Sequence, residues 1–130
     1  MTKVEATNRE FLDLLRGLEA VKQIKGARFA VLVGKNMKEL KHHLQPIEKA
    51  AEPTLEFQAV SVQMQELADK EDKDGMKKLE DDNQNLIEER RAVEDMLNEP
   101  SEVYLELIKE AQLPEEITGE HVEKLIKIIE

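Results

Sequence analysis

The stretch Lys70-Glu-Asp-Lys-Asp-Gly-Met-Lys-Lys-Leu-Glu-Asp81 comes closer than any other part of the chain to a pattern that does chemistry, that of a calcium loop. Such a loop needs oxygen ligands at its first, third and fifth positions, a glycine at the sixth and a bidentate glutamate at the twelfth. Asp72, Asp74 and Gly75 fill the third, fifth and sixth. Lys70 occupies the first ligand position and Lys77 that of a buried aliphatic residue, while Asp81 is too short to close the loop. By composition, residues 69–75 read instead as a solvated turn between helices, closed by Gly75.

Three further patterns fall short. Gly34-Lys35-Asn36 has the Gly-Lys pair of a phosphate loop, but Phe29 stands where the leading glycine belongs and Asn36 where the hydroxyl residue belongs. His42 and His43 are adjacent, so on a helix they diverge by about 100° and cannot share a metal ion without ligands from elsewhere; His121 stands alone. With 29 Asp and Glu, carboxylate pairs can be found anywhere, and no nucleophile motif, cofactor loop or aromatic pocket wall marks one out. No catalytic, cofactor-binding or metal-ligating residue is assigned. A small enzyme or metal-binding protein ranks last among the functional classes.

What remains is a set of helices. Gly26, Ala30, Val33, Met37, Leu40, Leu44, Ile47 and Ala51 follow one another in alternating steps of four and three. That spacing forms one stripe of an α-helix, the stripe against which a partner helix packs. It predicts a helix over 27–51 in spite of the strand propensity of Phe29-Ala-Val-Leu-Val33, with Pro46 kinking or restarting it near Leu44. Before it, Thr7 or Asn8 caps a helix over 8–25 bearing Phe11, Leu14 or Leu15, Leu18, Val21 and Ile24; Gly26 either ends that helix or serves as a close-contact point in a longer one.

Pro53 and Thr54 open a helix over 54–70 with Phe57, Val60, Met64 and Leu67 on one side. A second stripe, Met76, Leu79, Asn83, Leu86, Arg90, Val93 and Leu97, predicts one long helix over 76–97 in which Asn83 can fix register or oligomeric state. Asn98-Glu-Pro-Ser101 breaks it. Val103, Leu105 and Leu107 then alternate with Tyr104 and Glu106, which permits a short strand over 103–108 if a partner strand exists. Thr118 caps a last helix over 119–129 bearing Val122, Leu125, Ile126 and Ile129. The expected fold is mainly α: one domain over 1–130, built as antiparallel helical hairpins or a coiled-coil bundle, with a small C-terminal appendage. Val33, Met37, Leu40, Leu44, Ile47, Leu79, Leu86, Val93 and Leu97 form the candidate packing seam.

Charge is unevenly spread. Residues 1–53 carry ten Lys and Arg against seven Asp and Glu, whereas residues 54–102 carry six against fifteen. A net charge of −10 repels nucleic acid, so direct nucleic-acid binding is not expected. Glu80, Asp81, Asp82, Glu88, Glu89, Glu94 and Asp95 form a candidate acidic face for a protein partner. The basic and acidic halves are expected to fold back on each other with complementary flanks. With no cysteine, thiolate chemistry and disulfides are excluded. The longest apolar run, Phe29 to Val33, is far below the ~20 residues of a membrane span, and the polar opening does not resemble a signal peptide. A soluble, intracellular protein is expected.

Several of these pieces together resemble a family of small bacteriophage proteins of unknown function. They are the Leu-rich first helix running into Ile24-Lys-Gly-Ala-Arg28, the charged helix after it, the Asp-Lys-Asp-Gly75 turn, and Leu113-Pro-Glu-Glu-Ile-Thr-Gly119 before a short last helix. After Gly75 the chain departs from that pattern with a Glu/Lys-rich helix where strand is expected. The resemblance implies a viral origin, with location in the host cytoplasm or the virion, and supplies no catalytic residues. Two interaction roles follow as expectations. One is a virion or assembly component that binds itself, a viral structural protein or a host protein. The other is an acidic inhibitor that imitates DNA before a host nucleic-acid-binding or defence enzyme.

Overall fold

The chain opens with a strand, not a polar tail. In the computed structural model, which describes residues 1–130, β1 (Thr2–Thr7) pairs antiparallel with β2 (Pro100–Leu105), in register from Thr2 opposite Leu105 to Thr7 opposite Pro100. β2 begins three residues before the expected 103–108. Val103 and Leu105 point into the core and Tyr104 outward, as alternation requires. β1 leaves a fainter trace, because only Ala6 is buried, with Val4 and Thr7 covered in part.

Thr7 ends the strand and caps α1 (Asn8–Val21) in a reciprocal capping box with Glu10. The helix stops four residues before the expected end, and Gly26 separates it from α2. Gly26 has φ +143°, a backbone conformation that side chains disfavour, so it is a turn residue between helices. α2 (Ala27–Ala51) has the expected bounds and runs unbroken through Pro46. Pro46 and His42, whose carbonyl loses the helical bond, both lie on the solvent side.

α3 (Leu55–Asp69) is capped by Thr54 through the Phe57 amide. The turn after it differs from expectation. Glu71, with φ 54°, takes the left-handed position, the Asp72 amide bonds to the Leu67 carbonyl and the Glu71 amide to that of Ala68. That is the Schellman arrangement, normally built on glycine. Gly75 instead lies inside α4 (Lys73–Asp82), where its amide donates to the capping carboxylate of Asp72 at 2.9 Å.

The single helix expected over 76–97 is two, α4 and α5 (Gln84–Asn98), divided at Asn83. The Asn83 side chain donates to the Leu79 carbonyl at 2.9 Å, a local bond that competes with the helical ladder. The last expected helix is also shorter. α6 (Gly119–Lys124) gives way to a 3₁₀ turn at Ile126–Ile128, after which Ile129 bridges in parallel to Ile108. Leu125 and Ile128, three apart, are both buried, a spacing that the tighter helix meets; Ile126 is exposed.

One core holds these pieces together: Phe11, Leu14 and Leu18 of α1, Phe29, Val33, Leu40 and Leu44 of α2, Val103 and Leu105 of β2, and Ile108, Leu125 and Ile128. Gly17 lets α6 approach α1, since a Cβ there would stand 3.0 Å from that of Lys124. The protein is mainly helical with a small two-stranded sheet. No helix is long and apolar enough to cross a membrane.

Candidate functional site

Most of the first seam turns inward. Val33, Met37, Leu40 and Leu44 are buried and Ile47 is half-buried, but Ala30 is exposed, with Phe29 buried beside it. The partners of the seam are α1 and β2 more than the second seam. Asn36 is fully buried on the same helix and holds β2's continuation. Its Nδ2 donates to the Glu106 carbonyl at 2.9 Å, and its Oδ1 accepts from the Glu106 amide at 2.7 Å. A side-chain amide thus satisfies a peptide unit that has no strand beside it.

The second seam is different in kind. Leu79, Leu86 and Val93 are only half-buried; Leu97, nearest β2, is buried. α3 and α4 contain no buried residue at all. Phe57, Val60, Met64 and Leu67 of α3 are half-covered, while Leu55 is 83% and Val62 60% exposed. α3, α4 and α5 pack on one another and meet the rest of the chain chiefly through α5. They form an arm without a closed core.

Arg90 joins arm to body. Its guanidinium lies 5.6 Å from the centre of the Phe57 ring, donates to the Ala51 carbonyl at 2.9 Å and reaches Glu94 at 3.4 Å. On the other side Glu94 pairs with Arg9 of α1. Glu94 is therefore not part of a free acidic face. Glu80, Asp81, Asp82, Glu88, Glu89 and Asp95 are exposed and form no ion pair. The expected closure of basic upon acidic half rests on Arg9–Glu94 and Lys3–Glu102.

The sequence patterns that could have carried chemistry lie apart. Gly34, Lys35 and Asn36 sit in the middle of α2. Asp72 is spent on its helix cap. His42 is exposed, whereas His43 is half-buried, its ring edge-on to Phe11 at 6.0 Å. His121 receives the Thr118 amide at 3.4 Å within the α6 capping box.

One constellation was invisible in the sequence: His43 Nε2 lies 3.2 Å from Ser101 Oγ, which in turn donates to Asn8 Oδ1. These are residue types of a nucleophilic triad, connected in the wrong order. A triad base takes the serine proton and is itself oriented by the third residue. Here the serine proton goes to Asn8, so His43 must donate to Ser101. Asn8 Nδ2 donates onward to the Met96 carbonyl at 2.8 Å. The network is a clasp joining α1, α2, α5 and β2.

The one strongly shifted titrating group is also structural. Glu10 is held down to about 2 from an ordinary 4.5, first by the Lys127 ammonium at 2.6 Å and then by the amide and hydroxyl of Thr7. Comparison of the chain with protein-family models, curated proteins and solved structures finds no match.

Proposed function

We propose that the chain is a non-enzymatic protein–protein interaction component, of the virion or assembly type, whose α3–α5 arm completes a helical bundle against a partner. One observation supports this above the others. The body has a closed core, yet the arm's apolar residues are nearly all half-covered and no residue of α3 or α4 is buried. Half-covered amphipathic helices gain from a partner helix laid along them. The phage attribution rests on the resemblance alone, and the partner is a second copy, a viral structural protein or a host protein.

The exposed, unpaired carboxylates of α4 and α5 favour a second reading, the acidic inhibitor that imitates a phosphate backbone. Lys77, Lys78 and Arg91 interrupt that face and weigh against it.

Tagged protein captured from infected and uninfected host lysates, washed at low and at high salt, separates the two. An assembly component retains itself or a viral structural protein at both salts and loses it in the exposed double variant Leu55→Asp/Val62→Asp. A nucleic-acid enzyme released by salt supports the inhibitor. Identical profiles for wild type and variant at both salts contradict the role given to the arm. Stabilisation by a metal ion or nucleotide in a melting experiment would revive the enzyme class.

A further inference from the structure

The outward face of α2 carries cations with no partner in the chain. Arg28, Lys35, Lys38 and Lys49 recur at helical spacing, all are exposed, and none forms an ion pair. At about 1.5 Å per residue the row extends roughly 32 Å. Val31, 56% exposed, lies on the same face between Arg28 and Lys35. It is an apolar residue flanked by cations.

The arm presents the reverse. An open cleft at the α4–α5 joint has Ile87 as its one apolar lining residue, with Glu80, Asp81 and Glu88 around it and Gln84 and Arg91 completing the wall. Those three carboxylates are exposed and also lack ion pairs. The two surfaces oppose in charge, each around one apolar residue, and no ion pair joins them within one chain.

We propose that the α2 face of one copy docks on the α4–α5 cleft of a second copy, Val31 over Ile87 and the lysines over the carboxylates. Arg28, Lys35 and Lys38, the cations nearest Val31, then face Glu80, Asp81 and Glu88 while the central apolar pair leaves water, the arrangement of a polar rim around a small apolar centre; Lys49 lies beyond the contact. Because the two patches differ, a single contact leaves one of each free, and these either close reciprocally into a dimer or ring or extend head-to-tail into a filament. A phosphate backbone is the rival occupant of the α2 face, and the net charge of −10 opposes its approach. The inference adds an electrostatic surface to the apolar arm of the proposed function and stands or falls separately from it.

Sedimentation equilibrium of the full chain, over a range of concentration at low and high salt, tests the contact. The expected result is mass that rises with concentration at low salt and falls as salt is added. Lys35→Glu/Lys38→Glu and Glu80→Lys/Glu88→Lys should each weaken self-association about tenfold or more. Mixing the two variants should restore it, since each supplies the charge the other has lost. All four positions are exposed, and circular dichroism confirms that the variants fold. A monomer at every concentration, or association indifferent to both reversals, overturns the contact. Association that survives both reversals but is lost in Leu55→Asp/Val62→Asp removes it while leaving the apolar arm in place. Binding of duplex DNA by wild type, abolished by Lys35→Glu/Lys38→Glu in a chain that stays monomeric, reassigns the face to a polyanion.

Discussion

Glu10 shows how much one half-buried side chain can organise. It closes the capping box of α1 and, through Lys127, ties the C-terminal turn to the start of that helix. Its carboxyl is depressed to about 2 from 4.5, so its ionised form is favoured by folding. The resulting stabilisation is complete above about 4.5 and is lost as pH falls toward about 2. Urea unfolding of wild type and Glu10→Gln should therefore differ at neutral pH and converge across that acid window. A pH-independent difference would show that the charge is not involved. Asn36 works by hydrogen bonding alone. Asn36→Ala leaves the part-buried amide and carbonyl of Glu106 without partners and should cost about 1–3 kcal/mol in chemical denaturation. A loss of only a few tenths would mean that water replaces the side chain.

At the scale of elements, Arg90 sets how firmly the arm is held. Arg90→Ala removes the Ala51 bond and the contact with the Phe57 ring, together worth roughly 1–3 kcal/mol. Faster hydrogen exchange in α3 and α5, with α1 unchanged, is the expected outcome; Arg90→Lys should rescue it only in part, since an ammonium lacks the planar fork. Equal loosening of α1 would show that arm and body open together. The bounds of α2 and α3 were legible because stepped apolar residues and flanking Pro and Thr all agree. The joint at Asn83 was not, because its side chain fits a helical stripe equally well and breaks the helix only by bonding back to Leu79. β1 was hidden by its charges, and becomes a strand only because β2, almost a hundred residues later in sequence, returns beside it. The candidate site was legible in part: the second seam was visible as a stripe, but its incomplete coverage depends on what packs over it. Pairing of Glu94 with Arg9, across two elements, could not be read from spacing.

Over the whole molecule, apolar burial and charge divide along the same line. β1, α1, α2, β2 and the C-terminal turns share one core, while α3 to α5 hold the acidic excess and little that is fully buried. Local opening free energy follows buried apolar contact, so the two parts should differ in stability within one native state. The most direct measurement is residue-resolved native-state hydrogen exchange on the free chain. Amides of α1, α2 and the β1–β2 pair should exchange only through global unfolding. Those of α3 and α4 should exchange much faster, through opening of the arm, and gain protection when a partner is bound. Protection of α3 and α4 equal to that of α1 in the free chain would contradict an arm that awaits a partner.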